Sequence, residues 1–82
     1  MFLNDFIISL QDYSKDVYFY DYTGEFLCRV DYHKLWNFFM NNCFKIKVYE
    51  FRFCCGVFKV CLDLGYEEGD EEVISHFISL WN

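Results

Sequence analysis

The spacing of hydrophobic residues changes along the chain, and each change predicts a new element of secondary structure. In residues 2–11 large apolar side chains recur at helical intervals, which predicts a short amphipathic helix. In residues 17–30 aromatic and β-branched residues flank Thr23-Gly24. This pattern predicts a β-hairpin with strands at 17–22 and 25–30.

The middle of the chain repeats this order of a helix followed by a hairpin. Asp31 is placed to cap a second helix, which we expect to end at Asn41-Asn42 because asparagine tolerates a left-handed stop. The apolar face of that helix comprises Tyr32, Leu35, Trp36, Phe39 and Cys43. Residues 44–64 are strand-like again and break at Gly56, which predicts a second hairpin.

The first strand of this second hairpin has an irregular pattern, because its apolar residues change parity at Val48-Tyr49. Either a β-bulge at this point moves the apolar residues to the other face, or the strand is covered on both faces. The second strand alternates regularly and has one core face.

The last element, residues 70–81, has apolar residues three and four positions apart, which predicts a core-facing helix. Its core residues are expected to be Val73, Ile74, Phe77, Ile78 and Trp81. The resulting order, α-ββ-α-ββ-α, predicts a single α+β domain over residues 1–82 with helices packed on a mostly antiparallel four-stranded sheet. Three small helices cannot cover both faces of such a sheet, so some aromatic surface should be exposed.

Composition adds information about the core and the cellular compartment. Phe, Tyr and Trp make up 24% of the residues, so large rings build the core. Five cysteines, including the vicinal pair Cys54-Cys55, do not form the even framework of a secreted disulfide scaffold. We expect them to be small buried hydrophobes in a reducing compartment. No segment reads as a membrane span or a signal peptide, so a cytoplasmic protein is expected.

Charge is concentrated near the C-terminal end, where residues 60–82 carry six acids and neither Lys nor Arg. Asp70, Glu71 and Glu72 are explained by the first turn of the last helix, where caps and the helix dipole favour acids. Glu67 and Glu68 lie before that helix, and their mutual repulsion costs stability. They are either simply solvated or used by a basic protein partner.

Tyrosine accompanies acidic residues both here and in the first hairpin. Tyr is favoured at interface hot spots, although a tyrosine stripe on a strand can also be a covered sheet face. Tyr18, Tyr20 and Tyr22 are expected to share one face of the strand. The candidate partner-binding residues are Tyr66, Glu67, Glu68, Asp70, Glu71, Glu72, Asp16, Tyr18, Tyr20, Asp21 and Tyr22.

Catalytic and metal-binding patterns are not found in the sequence. No nucleophile elbow, phosphate-binding loop or dinucleotide turn is present. A calcium loop beginning at Asp63 would need glutamate at its twelfth position, where Ile74 stands. The spacing of Cys54, Cys55 and Cys61 is not that of a zinc knuckle. We therefore expect no enzymatic activity, no cofactor and no metal site.

A net charge of −6 disfavours direct binding to nucleic acid. Carboxylates spaced like phosphates would instead bind the basic groove of a nucleic-acid-binding effector. In its short length, acidic balance, small α+β layout, LNDFIISL first helix and YEEGDEE cluster, the chain resembles the small acidic proteins that phages use against host defence, including anti-CRISPR inhibitors that mimic DNA. The resemblance implies an inhibitor of a nuclease or nucleoprotein complex in the host cytosol. The alternative is a structural or scaffold domain that forms a homodimer or larger homo-oligomer by burying an aromatic sheet face.

Overall fold

The computed structural model describes residues 1–10, 15–41 and 45–81. In chain order the elements are α1 (Leu3–Ser9), β1 (Asp16–Tyr20), β2 (Phe26–Asp31), α2 (Tyr32–Asn41), β3 (Val48–Cys54), β4 (Val57–Leu62) and α3 (Asp70–Ser79). The predicted α+β order of three helices and two hairpins is confirmed. The predicted positions of Asn42 and Cys43 lie outside the described residues. None of the described helices has the length and apolar character needed to cross a membrane.

The four strands form one sheet in the order β2-β1-β4-β3. Each hairpin is antiparallel, and the two hairpins join through parallel pairing of β1 with β4, with Val17 beside Phe58 and Phe19 beside Val60. The prediction of a mostly antiparallel sheet is confirmed, with one parallel pair at its centre. A parallel pair requires a long crossover connection, which β2, α2 and β3 together supply.

All three helices pack on one face of the sheet. Phe77 of α3 contacts Phe19 of β1 edge-on, at a ring-centroid distance of 5.0 Å. The Tyr32 hydroxyl donates a hydrogen bond of 3.1 Å to the carbonyl of Ile7, which ties α2 to α1. The buried core comprises Leu3, Phe6, Ile7, Leu10, Val17, Phe19, Val30, Tyr32, Leu35, Phe39, Ile46, Val48, Phe58, Val60, Leu62, Leu64 and Phe77.

The opposite face of the sheet is not covered by any helix that the structure describes. The strand register places Arg29, Tyr18, Lys59 and Arg52 in one row across this face. Phe26 lies on the same face and is 51% exposed. This agrees with the expectation that three small helices leave aromatic surface uncovered.

The irregular strand of the second hairpin contains a β-bulge. The pairing of β3 with β4 shifts between Val48 and Glu50, which leaves Tyr49 as the extra residue. Beyond the bulge, Phe51 lies opposite Val60 on the helix side of the sheet. The bulge, rather than burial on both faces, explains the change in parity.

The cap predicted for α2 is confirmed, because Asp31 Oδ1 accepts a hydrogen bond of 2.7 Å from the N–H of His33. Two predictions about burial are wrong. Val73 is exposed, since the apolar residues of α3 occupy more of the helix circumference than the sheet covers, and Phe77 is the buried residue of that helix. None of the described cysteines is fully buried, and Cys55 is exposed at the tip of the second hairpin.

Replacing Phe19 by alanine should lower the free energy of unfolding by about 3–5 kcal/mol, because it opens a cavity where β1 meets α3. Val73→Ala, on the exposed side of the same helix, should change the free energy of unfolding by less than about 0.5 kcal/mol. Urea denaturation followed by circular dichroism measures both variants. Equal losses in the two variants would contradict the packing of α3 on the sheet described above.

Candidate functional site

Three tyrosines from separate parts of the chain meet on the surface. The ring of Tyr22 contacts those of Tyr49 and Tyr66, with centroid distances of 5.2 and 5.0 Å and edge-to-face orientations. These residues are 46%, 57% and 52% exposed, respectively, so the rings support one another while much of their surface faces solvent. We call Tyr22, Tyr49 and Tyr66 the tyrosine cluster.

Backbone pairing at the end of the central strands positions this cluster. Because β1 and β4 are parallel, the residues that follow them emerge at the same end of the sheet. The N–H of Tyr22 donates a hydrogen bond of 2.8 Å to the carbonyl of Leu64, which brings Tyr22 close to Tyr66. Tyr49 reaches the cluster as the extra residue of the bulge, which lies next to the end of β4.

Tyr66 leads directly into residues 67–72, which we call the acidic segment. The first part of this segment is fixed by a carboxylate, because Asp70 Oδ2 accepts hydrogen bonds from the N–H groups of Gly65 at 3.0 Å and Glu67 at 3.1 Å. The side chains of Glu67 and Glu68 remain exposed, and neither takes part in an ion pair within the described ranges. The loop therefore holds its backbone in place while it presents unpaired negative charge.

The start of α3 differs from the expected cap. The N-cap residue is Gly69, in the left-handed conformation with φ 98°, and it provides no side-chain cap. Asp70, Glu71 and Glu72 occupy the first turn as predicted, where the helix dipole favours them. Asp70 is the first residue of the helix and not its N-cap, so it does not cap α3. Its carboxylate instead accepts hydrogen bonds from backbone N–H groups of the preceding loop.

The electrostatics of the acidic segment extend to the tyrosine cluster. The pKa of Tyr66 is raised above its ordinary value, first by its hydrogen bond with Asp63 and then by burial and the nearby negative charges of Asp63, Glu67 and Asp70. Tyr66 is therefore a neutral phenol at physiological pH. Aromatic faces and carboxylates in such proximity are both attractive to a positively charged side chain.

Asp21, which the sequence placed among the partner-binding residues, is buried. Its Oδ1 accepts hydrogen bonds from the N–H of Thr23 at 2.9 Å, from the Thr23 hydroxyl at 2.6 Å and from the N–H of Glu25 at 3.0 Å. Burial alone would raise the pKa of Asp21, but these hydrogen bonds and one from Gly24 outweigh it and lower the pKa below 3.8. Asp21 holds the turn between β1 and β2 and does not belong to the exposed surface, so its prediction as a partner-binding residue is wrong.

The other candidates of the first hairpin lie on a different surface. Tyr18 and Tyr20 are half-buried on the uncovered face, where the ring of Phe26 contacts both at centroid distances of 5.9 and 5.6 Å. Asp16 forms an ion pair with Arg29 on the neighbouring strand. The predicted candidates are thus divided between two surfaces. Tyr22 follows the end of β1 and packs against Tyr66, so the expectation that it shares one strand face with Tyr18 and Tyr20 is wrong.

Tyr49 was not among the candidates predicted from the sequence. The signal that points to it is the change in parity at Val48-Tyr49, because the extra residue of a bulge turns away from the regular alternation. Its partner in the cluster, Tyr22, lies 27 positions earlier in the sequence, so the contact itself depends on the tertiary fold.

Within residues 1–10, 15–41 and 45–81 no group of three or more His, Cys, Asp or Glu side chains is arranged to hold a metal ion. Comparisons with protein-family models, curated proteins and solved structures find no match to this chain.

Asp21→Ala should destabilise the protein by about 1–3 kcal/mol at neutral pH, because the N–H groups of Thr23 and Glu25 lose their acceptor. The folded-state pKa of Asp21 is below that of the unfolded chain, so its contribution is complete well above pH 3.8 and disappears as the pH falls through the folded-state pKa. Urea denaturation at several pH values should show the variant and wild type converging in acid. Asp5→Ala is the exposed control, and a difference that stays constant with pH would contradict the assignment.

Proposed function

We propose that this protein is an acidic interaction module that inhibits a nuclease or nucleoprotein complex by occupying its basic nucleic-acid-binding surface. The observation that carries the proposal is that the exposed tyrosine cluster leads directly into the acidic segment, because Tyr66, which packs against Tyr22, is followed by Glu67. The proposal assigns the chain no catalytic activity and places it in the cytoplasm of the cell that contains its partner.

The tyrosine cluster supports this function because tyrosine provides contact area at a small cost in side-chain entropy. A Lys or Arg side chain over an exposed aromatic ring gains about 0.5–1 kcal/mol, and more when water is excluded from the contact. The edge-to-face contacts already order the three rings, so binding needs to immobilise little more than the partner side chain.

The acidic segment supports the choice of partner. Glu67, Glu68, Glu71 and Glu72 are exposed, within a chain of net charge −6. Such a field accelerates association with a basic groove and disfavours nucleic acid itself. The Lys and Arg side chains that a nucleic-acid-binding protein places around phosphates are those that this arrangement would attract.

The test combines a charge reversal with competition by DNA. The protein is immobilised, exposed to bacterial cell lysate, and eluted with duplex DNA. We expect the wild type to retain nucleic-acid-binding proteins that DNA displaces, and the double variant Glu67→Lys/Glu68→Lys to retain at least about tenfold less, because repulsion replaces attraction. Tyr66→Ala should lower retention more than Tyr66→Phe, because phenylalanine preserves the ring.

The matched control is Asp5→Lys/Ile8→Lys/Met40→Lys, which makes the same change in net charge at exposed positions of α1 and α2. Its retention should stay near the wild-type level, because these positions lie on helices outside the acidic segment. Retention that is equal in the two charge variants, or that duplex DNA does not compete for, would refute the proposed function.

Self-association is a second candidate function, because the outer edge of β3 is partly free. The N-terminal residues cover its beginning, where Leu3 N–H donates to Ile46 at 2.8 Å and Val48 N–H donates to Met1 at 2.7 Å. From residue 49 to residue 53 the edge faces no other strand in the part of the chain that the structure describes. Phe53 is 54% exposed there, and an uncovered apolar edge strand is a template for pairing with another copy.

If this edge mediates assembly, Phe53→Lys should convert an oligomer into the 10.1 kDa monomer in sedimentation equilibrium. Lysine at an edge opposes strand pairing because its charge would have to be desolvated. Met40→Lys on α2 replaces another exposed apolar residue, and the mass of the oligomer in sedimentation equilibrium should stay as in the wild type. A wild-type protein that is monomeric at all accessible concentrations would exclude this second function.

A further inference from the structure

The tip of the second hairpin is a two-residue turn. Cys54 pairs with Val57 across it, and the two central residues, Cys55 and Gly56, have φ angles of 58° and 80°. Positive φ at both central positions defines a type I′ turn, which favours asparagine or glycine at the first of them. Cys55 is the one non-glycine residue with positive φ in the described chain, so a cysteine occupies a position that ordinary turn preferences assign to other residues.

The two cysteines of this tip have their sulfurs close together. Cys54 Sγ and Cys55 Sγ are 3.4 Å apart and share a hydrogen bond. Cys55 is exposed and Cys54 half-buried, so a reagent in solution can reach the pair. Strain in the turn and an accessible thiol pair are two separate features that the proposed function leaves unexplained.

We propose that Cys54 and Cys55 form a dithiol site for soft, thiophilic cations that take two sulfurs, the class to which trivalent arsenic belongs. With sulfur bonds of about 2.3 Å, the length of zinc–thiolate bonds, two sulfurs 3.4 Å apart subtend an angle of about 95°. This angle suits a pyramidal three-coordinate centre and is narrower than a tetrahedral site prefers. The two-sulfur site also differs from structural zinc sites, which require four ligands.

The reaction with a monosubstituted trivalent arsenical balances without an oxidant. Each thiol forms one arsenic–sulfur bond, and the two thiol protons leave with the arsenical oxygen as one molecule of water. The oxidation state of arsenic does not change.

The other described thiols cannot take part in the same chelate. Cys28 is half-buried on β2, and burial raises its pKa to about 11. Cys61 pairs with Glu50 on the neighbouring strand. It lies four residues after Val57, the first residue beyond the turn, which is a distance of about 13 Å along an extended strand. The site is therefore specific to the hairpin tip.

The dithiol site does not depend on the proposed function. The tip precedes β4 and the tyrosine cluster lies at its far end, so the six residues of that strand separate them by about 20 Å. Failure of arsenical binding would leave the charge-reversal experiment unaffected, and the reverse also holds.

The test uses phenylarsine oxide as the probe on the full chain, reduced with a phosphine so that no other thiol competes. Native mass spectrometry should show one phenylarsenic group per wild-type chain. A small dithiol such as 2,3-dimercaptopropanol should remove the group, whereas the monothiol glutathione at equal thiol concentration should not. The second arsenic–sulfur bond forms within one molecule, which raises apparent affinity about a hundredfold or more.

The informative variant is Cys55→Asn, because asparagine is favoured in the left-handed conformation and removes one sulfur without disturbing the turn. It should fold like the wild type by circular dichroism and lose the adduct, whereas Cys28→Ser and Cys61→Ser should keep it. A stable adduct on Cys55→Asn, no adduct on the wild type, or equal reversal by glutathione and the dithiol would each overturn the proposal.

Discussion

The parallel pairing of β1 with β4 is the interaction on which the rest of the structure depends. It joins two hairpins that would each be marginal alone, and it aligns Val17 and Phe19 with Phe58 and Val60 under the helices. Since parallel strands end at the same edge, the pairing also brings residue 22 beside residues 64–66. One contact between strands thus builds the core and assembles the tyrosine cluster.

Close packing between Gly65 and Asp21 restricts which residue can occupy position 65. Gly65 has φ 106°, and a Cβ at that position would lie 3.1 Å from Asp21 Oδ2. The loop that precedes the acidic segment therefore approaches the turn of the first hairpin without room for a side chain at residue 65. Asp21 and Asp70 satisfy the backbone N–H groups on either side of this approach. The carboxylates of Asp21 and Asp70 therefore fix the backbone, whereas the side chains of Glu67 and Glu68 are exposed and form no ion pair among the described residues.

Local periodicity was sufficient to predict the elements and the order of the fold, because helices and hairpins depend on neighbouring residues. It also located the change in parity at Val48-Tyr49, but it left a bulge and burial on both faces as alternatives, and the strand register decides for the bulge. The parallel joining of the hairpins depends on contacts about 40 residues apart, which no local pattern encodes. Alternation alone also could not distinguish Asp21 from an exposed acid, because its carboxylate turns inward to accept hydrogen bonds from the N–H groups of Thr23 and Glu25.

The division of charge along β4 follows from the same arrangement. The strand begins after the turn at Cys55-Gly56 and continues with Lys59 opposite Arg52. It ends before the loop that leads to the acidic segment. Cations directly opposite each other in a sheet repel, and Arg52 also forms an ion pair with Glu50 at 3.4 Å, which offsets part of this repulsion. The neighbouring glutamates 67 and 68 repel each other and form no ion pair among the described residues. A fold whose stability rests on large buried rings can tolerate these costs. Both contacts lie outside the buried core around Phe19 and Phe77.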